Sequence, residues 1–239
     1  MDFWKGVLAS IIATVIIAFI IWLYRGSRNY LGIRKTIRLI NDCNKSGIVN
    51  IFSSRKSYTE RKDHGTAANY ISNSKFSVYY IGFWLASSAE VGEILEIIKR
   101  LVLSSKKVYI VFIDPKFSLL LDECSIYLGI SSDEIKNRVD YSLNKLIDLK
   151  KELPENYCKN LTIKLHRVPL FASAFIIDYE QENECKVLVD YKIYGFSRDD
   201  SYGIEFRGRN KIIASKIINS YIKIYDNAKV YNAVPVAKI

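Results

Sequence analysis

Few side chains in this chain of 239 residues have the type and spacing that catalysis requires. His166 is one of two histidines and lies in Lys164-Leu-His-Arg167, at the end of an alternating segment. A histidine can act as a nucleophile or carry a proton near neutral pH. No lysine follows it at a useful spacing, and a single histidine at a strand end is more often structural. The sequence therefore makes His166 only a weak catalytic candidate.

Several patterns that indicate a reaction are missing. The chain contains no G-x-x-x-x-G-K-[ST], G-x-G-x-x-G, H-E-x-x-H or G-x-S-x-G, which disfavours phosphate-cradling loops, zinc proteases and hydrolase elbows. The cysteines are Cys43, Cys124, Cys158 and Cys185, with no C-x-x-C pair. We expect reduced, partly buried thiols, no bound metal and no cofactor.

A second stretch of interest is Leu170-Phe-Ala-Ser-Ala-Phe-Ile-Ile-Asp178. Together with the order of segments from Gly47 onward, it resembles one half of a phospholipase D-like domain, in which a strand carries H-x-K-x-x-x-x-D. Counted back from Asp178, Phe171 takes the family's histidine position and Ser173 its lysine position. The family's later Gly-Ser pair is matched only loosely, by Gly195-Phe-Ser197.

The resemblance implies a fold without its usual chemistry. In the family, the histidine attacks phosphorus and the lysine steadies the phosphoryl oxygens. Phe171 has no lone pair and no proton to give, which excludes covalent catalysis there, and Ser173 cannot supply the lysine's charge. Asp178 is retained, although an aspartate at a strand end also favours a turn. Degenerate domains of this kind resemble regulatory modules of bacterial stress-response or antiviral systems, which bind a ligand or a partner protein.

Other polar residues suit binding better than catalysis. The candidates for an anion or an acidic partner are Ser53, Ser54, Arg55, Arg167, Arg207 and Arg209. Arg55 offers a planar fork to a phosphate or carboxylate, and we expect its turn to lie near Ser173 and His166 if the loops gather at one end of a sheet. An ordinary polar strand exit and, for Gly203–Arg209, a solvated hairpin are the simpler alternatives.

The elements that must position these residues alternate between strands and helices. Continuous apolar runs predict buried strands at Val78–Leu85 and Val108–Pro115. Helical spacing predicts one amphipathic helix from Ser88 and another from a capping box at Ser131 to before Pro154. The remaining predictions are a first strand in Gly47–Arg55, a polar surface helix over Tyr58–Ser74, strands at Leu161–His166, Ser173–Asp178 and Val187–Tyr194, and a closing helix over Lys211–Tyr225. The sequence thus predicts an α/β fold with a mixed sheet.

An uncharged apolar run occupies residues 7–23 and, with its flanks, is long enough to cross a bilayer as a helix. The flanking residues that suit a membrane interface are Trp4, Trp22, Tyr24, Arg25 and Arg28. Basic residues after the run place the leader outside and the large domain in the cytoplasm. A cleaved signal peptide and a buried core helix are the alternatives. We expect an anchor at 1–25, a basic juxtamembrane connector at 26–46 and a cytosolic domain at 47–239.

The formal net charge of +10 favours anionic partners, either acidic lipid headgroups or nucleic acid. The leading hypothesis is a single-pass membrane-anchored sensor or adaptor that works with a protein partner or by self-association. One alternative is an active membrane-bound phosphodiesterase, a nuclease or phospholipase, that uses His166 and is completed by homodimerisation. The other is a membrane-perturbing effector whose anchor is controlled by the cytosolic domain.

Overall fold

The structure, a computed structural model, describes residues 35–54, 66–85, 88–192, 194 and 201–231. The chain divides into two compact units, Met1–Asn44 and Lys45–Ile239. Residues 35–46 are helical and are called here the 35–46 helix. The predicted anchor, its interface residues Trp4, Trp22, Tyr24, Arg25 and Arg28, and the turn residue Arg55 lie outside the described residues. Among the described residues, no helix is long and apolar enough to cross a bilayer.

The described part of the second unit is built on one mixed sheet of eight strands. The strands are β1 (Ile48–Phe52), β2 (Ser77–Ile81), β3 (Lys107–Ile113), β4 (Leu161–His166), β5 (Ala172–Ile177), β6 (Lys186–Tyr191), β7 (Tyr202–Arg207) and β8 (Lys229–Val230). The helices are α1 (Ala67–Ser72), α2 (Ser88–Leu103), α3 (Ser118–Leu128), α4 (Ser132–Glu152), α5 (Glu155–Cys158) and α6 (Ile212–Asn227).

The strand order is β1-β7-β6-β5-β2-β3-β4-β8. The central strands β2, β3 and β4 run parallel, and every other neighbouring pair is antiparallel. The three parallel strands end at the same end of the sheet, here called the carboxyl end, and the other is called the amino end. Because β5 and β7 are antiparallel to their neighbours, they begin at the carboxyl end, whereas β1 and β6 finish there.

Apolar side chains on both faces explain why the central strands lie inside. All five residues of β2 are buried, as a strand covered on both faces requires. The crossovers from β2 to β3 and from β3 to β4 carry α2 and α4, and right-handed crossovers in one direction place both helices on the same face. On the face of Tyr79 and Tyr109, α6 contributes Tyr225, whose ring lies 5.2 Å from each of theirs.

The structure confirms the α/β class with a mixed sheet and most of the predicted elements. The N-cap half of the predicted capping box is present, since the Ser131 hydroxyl accepts a hydrogen bond from the Glu134 main-chain N–H at 3.1 Å, whereas the Glu134 carboxylate pairs with Arg138. One strand is shorter than predicted: β2 ends at Ile81, and the chain then bends while Phe83 and Leu85 stay buried. The apolar run in the sequence extends beyond the strand to Leu85 because the bend after the strand is also buried in the core.

Two predictions need correction, and one helix was not predicted. The described part of Tyr58–Ser74 contains only the short helix α1, which buries Ala68, Tyr70 and Ile71 rather than lying on the surface. The segment expected to be a solvated hairpin, Gly203–Arg209, instead lies mostly in strand β7, which pairs with both β6 and β1 and buries Glu205 and Phe206. Helix α3 was not predicted, because its apolar residues lie on its exposed face as well as on its buried one.

Candidate functional site

Strand polarity gathers most of the predicted site residues at the carboxyl end of the sheet. His166 is the last residue of β4, and Ser173 lies near the start of β5. Ser53 and Ser54 follow β1 at the same end. Neighbouring strands lie about 4.8 Å apart, so β1 stands about 14 Å from β5 and about 29 Å from β4. The serine turn therefore shares this end of the sheet with Ser173 and His166 but is not adjacent to them.

His166 is held by the main chain through both ring nitrogens. Its side chain is buried, and the Val168 N–H donates to Nδ1 at 3.3 Å. The ring proton therefore belongs on Nε2, which lies 3.4 Å from the carbonyl oxygen of Gly82. Burial lowers the pKa of His166 to about 4. The imidazole is neutral near pH 7, and neither nitrogen is open to a substrate.

Phe171 projects from the carboxyl end and is 66% exposed. Its ring meets that of Tyr127 edge-on, with centroids 5.4 Å apart. The Tyr127 hydroxyl lies 3.3 Å from the carbonyl oxygen of Phe171 and also bonds to that of Lys192, which ties α3 to the adjoining ends of β5 and β6. The position that carries the nucleophile in the resembled family thus presents an apolar surface.

Ser173 is almost fully buried, and the main chain at Gly82, just after β2, passes close to it. A Cβ placed on Gly82 would stand 2.7 Å from the Ser173 Oγ and 2.6 Å from the Tyr80 Oη. The Tyr80 hydroxyl in turn donates to the carbonyl oxygen of Trp84 at 2.7 Å. The space next to Ser173 is therefore filled by the Gly82 main chain and the Tyr80 side chain.

Asp178 belongs to the amino end and has a structural role. Its Oδ1 accepts hydrogen bonds from the N–H groups of Lys75 and Phe76, at 2.9 and 2.8 Å, and from the Ser74 hydroxyl at 3.0 Å. Its own backbone is left-handed, with φ at 55°. Strand β5 separates it from Phe171 by roughly 20 Å. The retained aspartate therefore fixes a turn and does not share a site with Phe171.

Arg167 follows His166 and is joined to the end of β3. Its Nε donates to the Asp114 Oδ2 at 2.8 Å, and its guanidinium lies 5.1 Å from the Phe117 ring centroid. The other oxygen of Asp114 accepts from the Lys116 N–H at 3.0 Å. One edge of the arginine fork is thus already occupied by a carboxylate, although the side chain remains half exposed.

Sequence reasoning missed an ion pair beside Ser173. Asp190 is its cross-strand neighbour on β6, and the Asp190 carboxylate lies 2.7 Å from the ammonium of Lys192. Residues two apart on a strand share a face, so this lysine lies on the same side as Ser173. The spacing in Asp190-Tyr-Lys192 was the signal that would have indicated it. The end of β6 therefore brings a cation to the family's lysine region, but one neutralised by a carboxylate.

Arg207 and Arg209 lie away from this region, at the amino end. Arg207 pairs with Glu184, and the Arg209 guanidinium stacks 4.5 Å from the Tyr179 ring centroid. They cannot act together with Arg167, because β7 and β4 present them at opposite ends of the sheet. The predicted arginines therefore form two separate groups.

At the carboxyl end, the described side chains offer hydrogen-bonding groups, charges in ion pairs and exposed apolar surface. No group of three histidine, cysteine or acidic side chains within the described ranges is arranged to hold a metal ion. The described part of this end contains His166 but no histidine that a substrate can reach.

Comparison with known proteins gives structural similarity only. No protein-family model and no curated protein sequence matches the chain. Nuc of Salmonella typhimurium, described as a phospholipase D family member, shares 12% identity with this chain at a TM-score of 0.39. That comparison covers 70% of this chain and 88% of Nuc.

Two further solved structures are similar to this chain, and both are of longer proteins. Phosphatidylserine synthase of Haemophilus influenzae shares 10% identity at a TM-score of 0.45, over 70% of this chain and 37% of the synthase. TrmBL2, an archaeal chromatin protein described with a novel mode of DNA binding, shares 12% identity at a TM-score of 0.45, over 92% and 71%. Of these three structures, Nuc is the one whose description names the phospholipase D family that the sequence resembles.

Proposed function

We propose that this protein is a single-pass membrane-anchored sensor or adaptor whose cytosolic domain has a phospholipase D-like shape without the family's catalysis. The anchor is the apolar run at residues 7–23, and the basic residues after it place the domain in the cytoplasm. The domain binds a protein partner or a second copy and transmits that event at the membrane.

The state of His166 carries this proposal. A phospholipase D-type nucleophile needs an accessible imidazole nitrogen, whereas Nδ1 of His166 accepts from Val168 and Nε2 faces the Gly82 carbonyl. The ring is 2% exposed. The alternative of an active phosphodiesterase built on His166 would require this part of the chain to rearrange before any reaction.

The surface at the carboxyl end supports recognition. Phe171 and Val168 are exposed apolar side chains in the loop that leads into β5. Tyr127 fixes the backbone of Phe171, so the ring is presented from a braced position. Aromatic anchors held in this way are typical of protein interfaces, which favours a protein partner over a small anion.

Assay of the full chain in lipid nanodiscs tests the absence of catalysis. The substrates are bis(p-nitrophenyl) phosphate, single-stranded DNA and phosphatidylcholine. We expect no turnover above the background of empty discs, and none gained or lost in the His166→Ala variant. Turnover that disappears in His166→Ala would establish the phosphodiesterase alternative instead. The matched variant His64→Ala controls for the chain's other histidine, and turnover that depended on it would equally contradict the proposal.

Membrane fractions test the anchor independently. We expect the wild-type chain to resist alkaline carbonate extraction and the Ile17→Arg variant to be released, because an arginine at the centre of a span is costly. A green fluorescent protein fused after residue 239 should fluoresce and an alkaline phosphatase at the same place should stay inactive. The opposite reporter pattern would reverse the orientation. The bacterial stress-response or antiviral setting that the family resemblance suggests is tested by the genes that neighbour this one.

A further inference from the structure

The 35–46 helix carries large apolar side chains that the described protein leaves uncovered. Ile37, Leu39 and Ile40 are 52%, 64% and 53% exposed. A soluble helix normally turns such residues toward a core. Three in four consecutive positions therefore indicate a face that is covered by something other than the described residues.

The apolar and charged residues of this helix occupy separate arcs. At about 100° per residue, the positions from Leu39 through Cys43 and Ile40 to Ile37 span about 160° of the circumference, an arc that also holds the uncharged Thr36 and Asn44. Lys35, Arg38, Asp42 and Lys45 all fall on the remaining arc. The apolar arc is wider than the narrow seam of a two-stranded coiled coil. Its width suits a continuous apolar medium better than a single partner helix.

Charge identifies that medium. The helix has three basic residues, Lys35, Arg38 and Lys45, against one acidic residue, Asp42. Two copies side by side would bring these cations together, which opposes self-association. An anionic bilayer surface attracts each basic residue near it by roughly 1 kcal/mol. Apolar residues on one face and lysine or arginine on the other are the pattern of helices that lie in a membrane interface.

We propose that the 35–46 helix lies in the headgroup layer of an anionic bilayer, with Ile37, Leu39 and Ile40 at the acyl boundary and Lys35, Arg38 and Lys45 toward the phosphates. The inference rests on the proposed function in one respect, since the anchor at residues 7–23 would hold this helix within reach of the bilayer. Acidic lipid is then a second determinant of how the chain sits at the membrane, beyond the span itself.

Hydrogen exchange on the full chain in nanodiscs tests the proposal. The two probes are discs of phosphatidylcholine alone and discs that also contain phosphatidylglycerol. We expect the main-chain amides of residues 35–46 to exchange about tenfold more slowly in the anionic discs, since two or three basic residues at about 1 kcal/mol each exceed the 1.4 kcal/mol that a factor of ten requires. Equal exchange in the two kinds of disc would overturn the inference.

Matched variants separate charge from apolar contact. Lys35→Glu/Arg38→Glu should remove the slowing in anionic discs, whereas Lys136→Glu/Lys150→Glu, two exposed positions on α4, should keep it. Ile37→Ala/Ile40→Ala should also reduce the slowing of exchange in anionic discs. Loss of helix would not explain this reduction, because alanine favours the helix. Slowing that is independent of lipid and grows when two chains share a disc would assign the face to a second copy and overturn the proposal.

A failed anchor gives a different result from a failed helix contact. If carbonate extracts the wild-type chain, the proposed span is wrong, and the full chain can be offered to vesicles of the same two compositions. Flotation with anionic vesicles alone, lost in Lys35→Glu/Arg38→Glu, would then still support the helix. Flotation with neither composition would overturn it.

Discussion

The main-chain N–H of Val168 donates to Nδ1 of His166 across 3.3 Å. This bond uses the lone pair that a nucleophilic imidazole needs and leaves the ring proton on Nε2, facing Gly82. A second proton would have to displace Val168 inside a buried site. The titration of His166 is therefore coupled to folding.

We expect the free energy of unfolding to fall as the pH drops from neutral, through His166. Burial lowers its pKa from 6.5 to about 4, so below pH 6.5 the unfolded chain takes up a proton that the folded chain does not. The contribution is fully present above pH 6.5 and declines by at most about 3 kcal/mol as the pH approaches 4. Thermal unfolding in detergent should show a flatter pH dependence for His166→Gln than for the wild type. His64→Gln is the control, and equal slopes for His166→Gln and wild type would contradict the assignment.

Asp178→Ala should cost about 3 kcal/mol or more of stability. The substitution leaves the N–H groups of Lys75 and Phe76 without their acceptor and places alanine at a left-handed backbone position. Asp178→Asn should cost less, since asparagine tolerates this φ and keeps one acceptor oxygen. The denaturant midpoints of wild type and the two Asp178 variants measure this order of stability. The control is Asp226→Ala at an exposed position, which should stay within about 0.5 kcal/mol of wild type. An alanine variant as stable as the asparagine variant would disprove this role.

Gly82→Ala should destabilise the domain by about 1–3 kcal/mol, because the new methyl group meets Tyr80 and Ser173 at less than contact distance. In a Ser173→Ala background, part of the loss should be recovered, since one of the two clashing oxygens is gone. Gly92→Ala in α2 is the matched control, with open space around its Cβ, and should be neutral or stabilising by up to about 1 kcal/mol. A Gly82→Ala cost unchanged by Ser173→Ala would show that the clash is elsewhere.

The cysteines should divide into two classes when the native chain meets a maleimide. Burial raises the pKa of the Cys124 thiol to about 11 and that of Cys185 to about 12, and a protonated, inaccessible thiol does not react. Cys158 is partly exposed. Mass spectrometry should find a label on Cys158 but none on Cys124 or Cys185 in the native chain, and labels on all four cysteines after unfolding. Labelling of Cys185 as rapid as that of Cys158 would refute its buried position.

Local signals in the sequence were sufficient for the helices and strands that depend on them. The capping box at Ser131 and the apolar spacing of α2 act within a few residues, so they can be identified without knowing the partners. The same holds for Asp178, whose position at a strand end predicted a turn. These are the parts of the fold and of the candidate site that follow from neighbouring residues alone.

Relationships between distant segments were not predictable in this way. Strand β7 lies between β1 and β6, and its Glu205 accepts a hydrogen bond from Asn50, which is 155 residues away in the sequence. The packing of Ser173 against Gly82 and the neighbouring Lys192–Asp190 pair likewise depend on which strands become neighbours. The sequence indicated which residues are polar and at which positions the family's histidine and lysine are replaced. Strand order decided which of these residues share one end of the sheet.

The sheet begins at one side with β1 and finishes at the other with β8. Seven interstrand steps of about 4.8 Å set these two edge strands about 34 Å apart. For an engineer, a circular permutant would need a new linker of about ten residues, at roughly 3.3 Å each, to join them. For a microscopist, a fluorophore at Tyr231 and another at Ile48 would stand within range of energy transfer and would report any loss of strands between them as a change in distance.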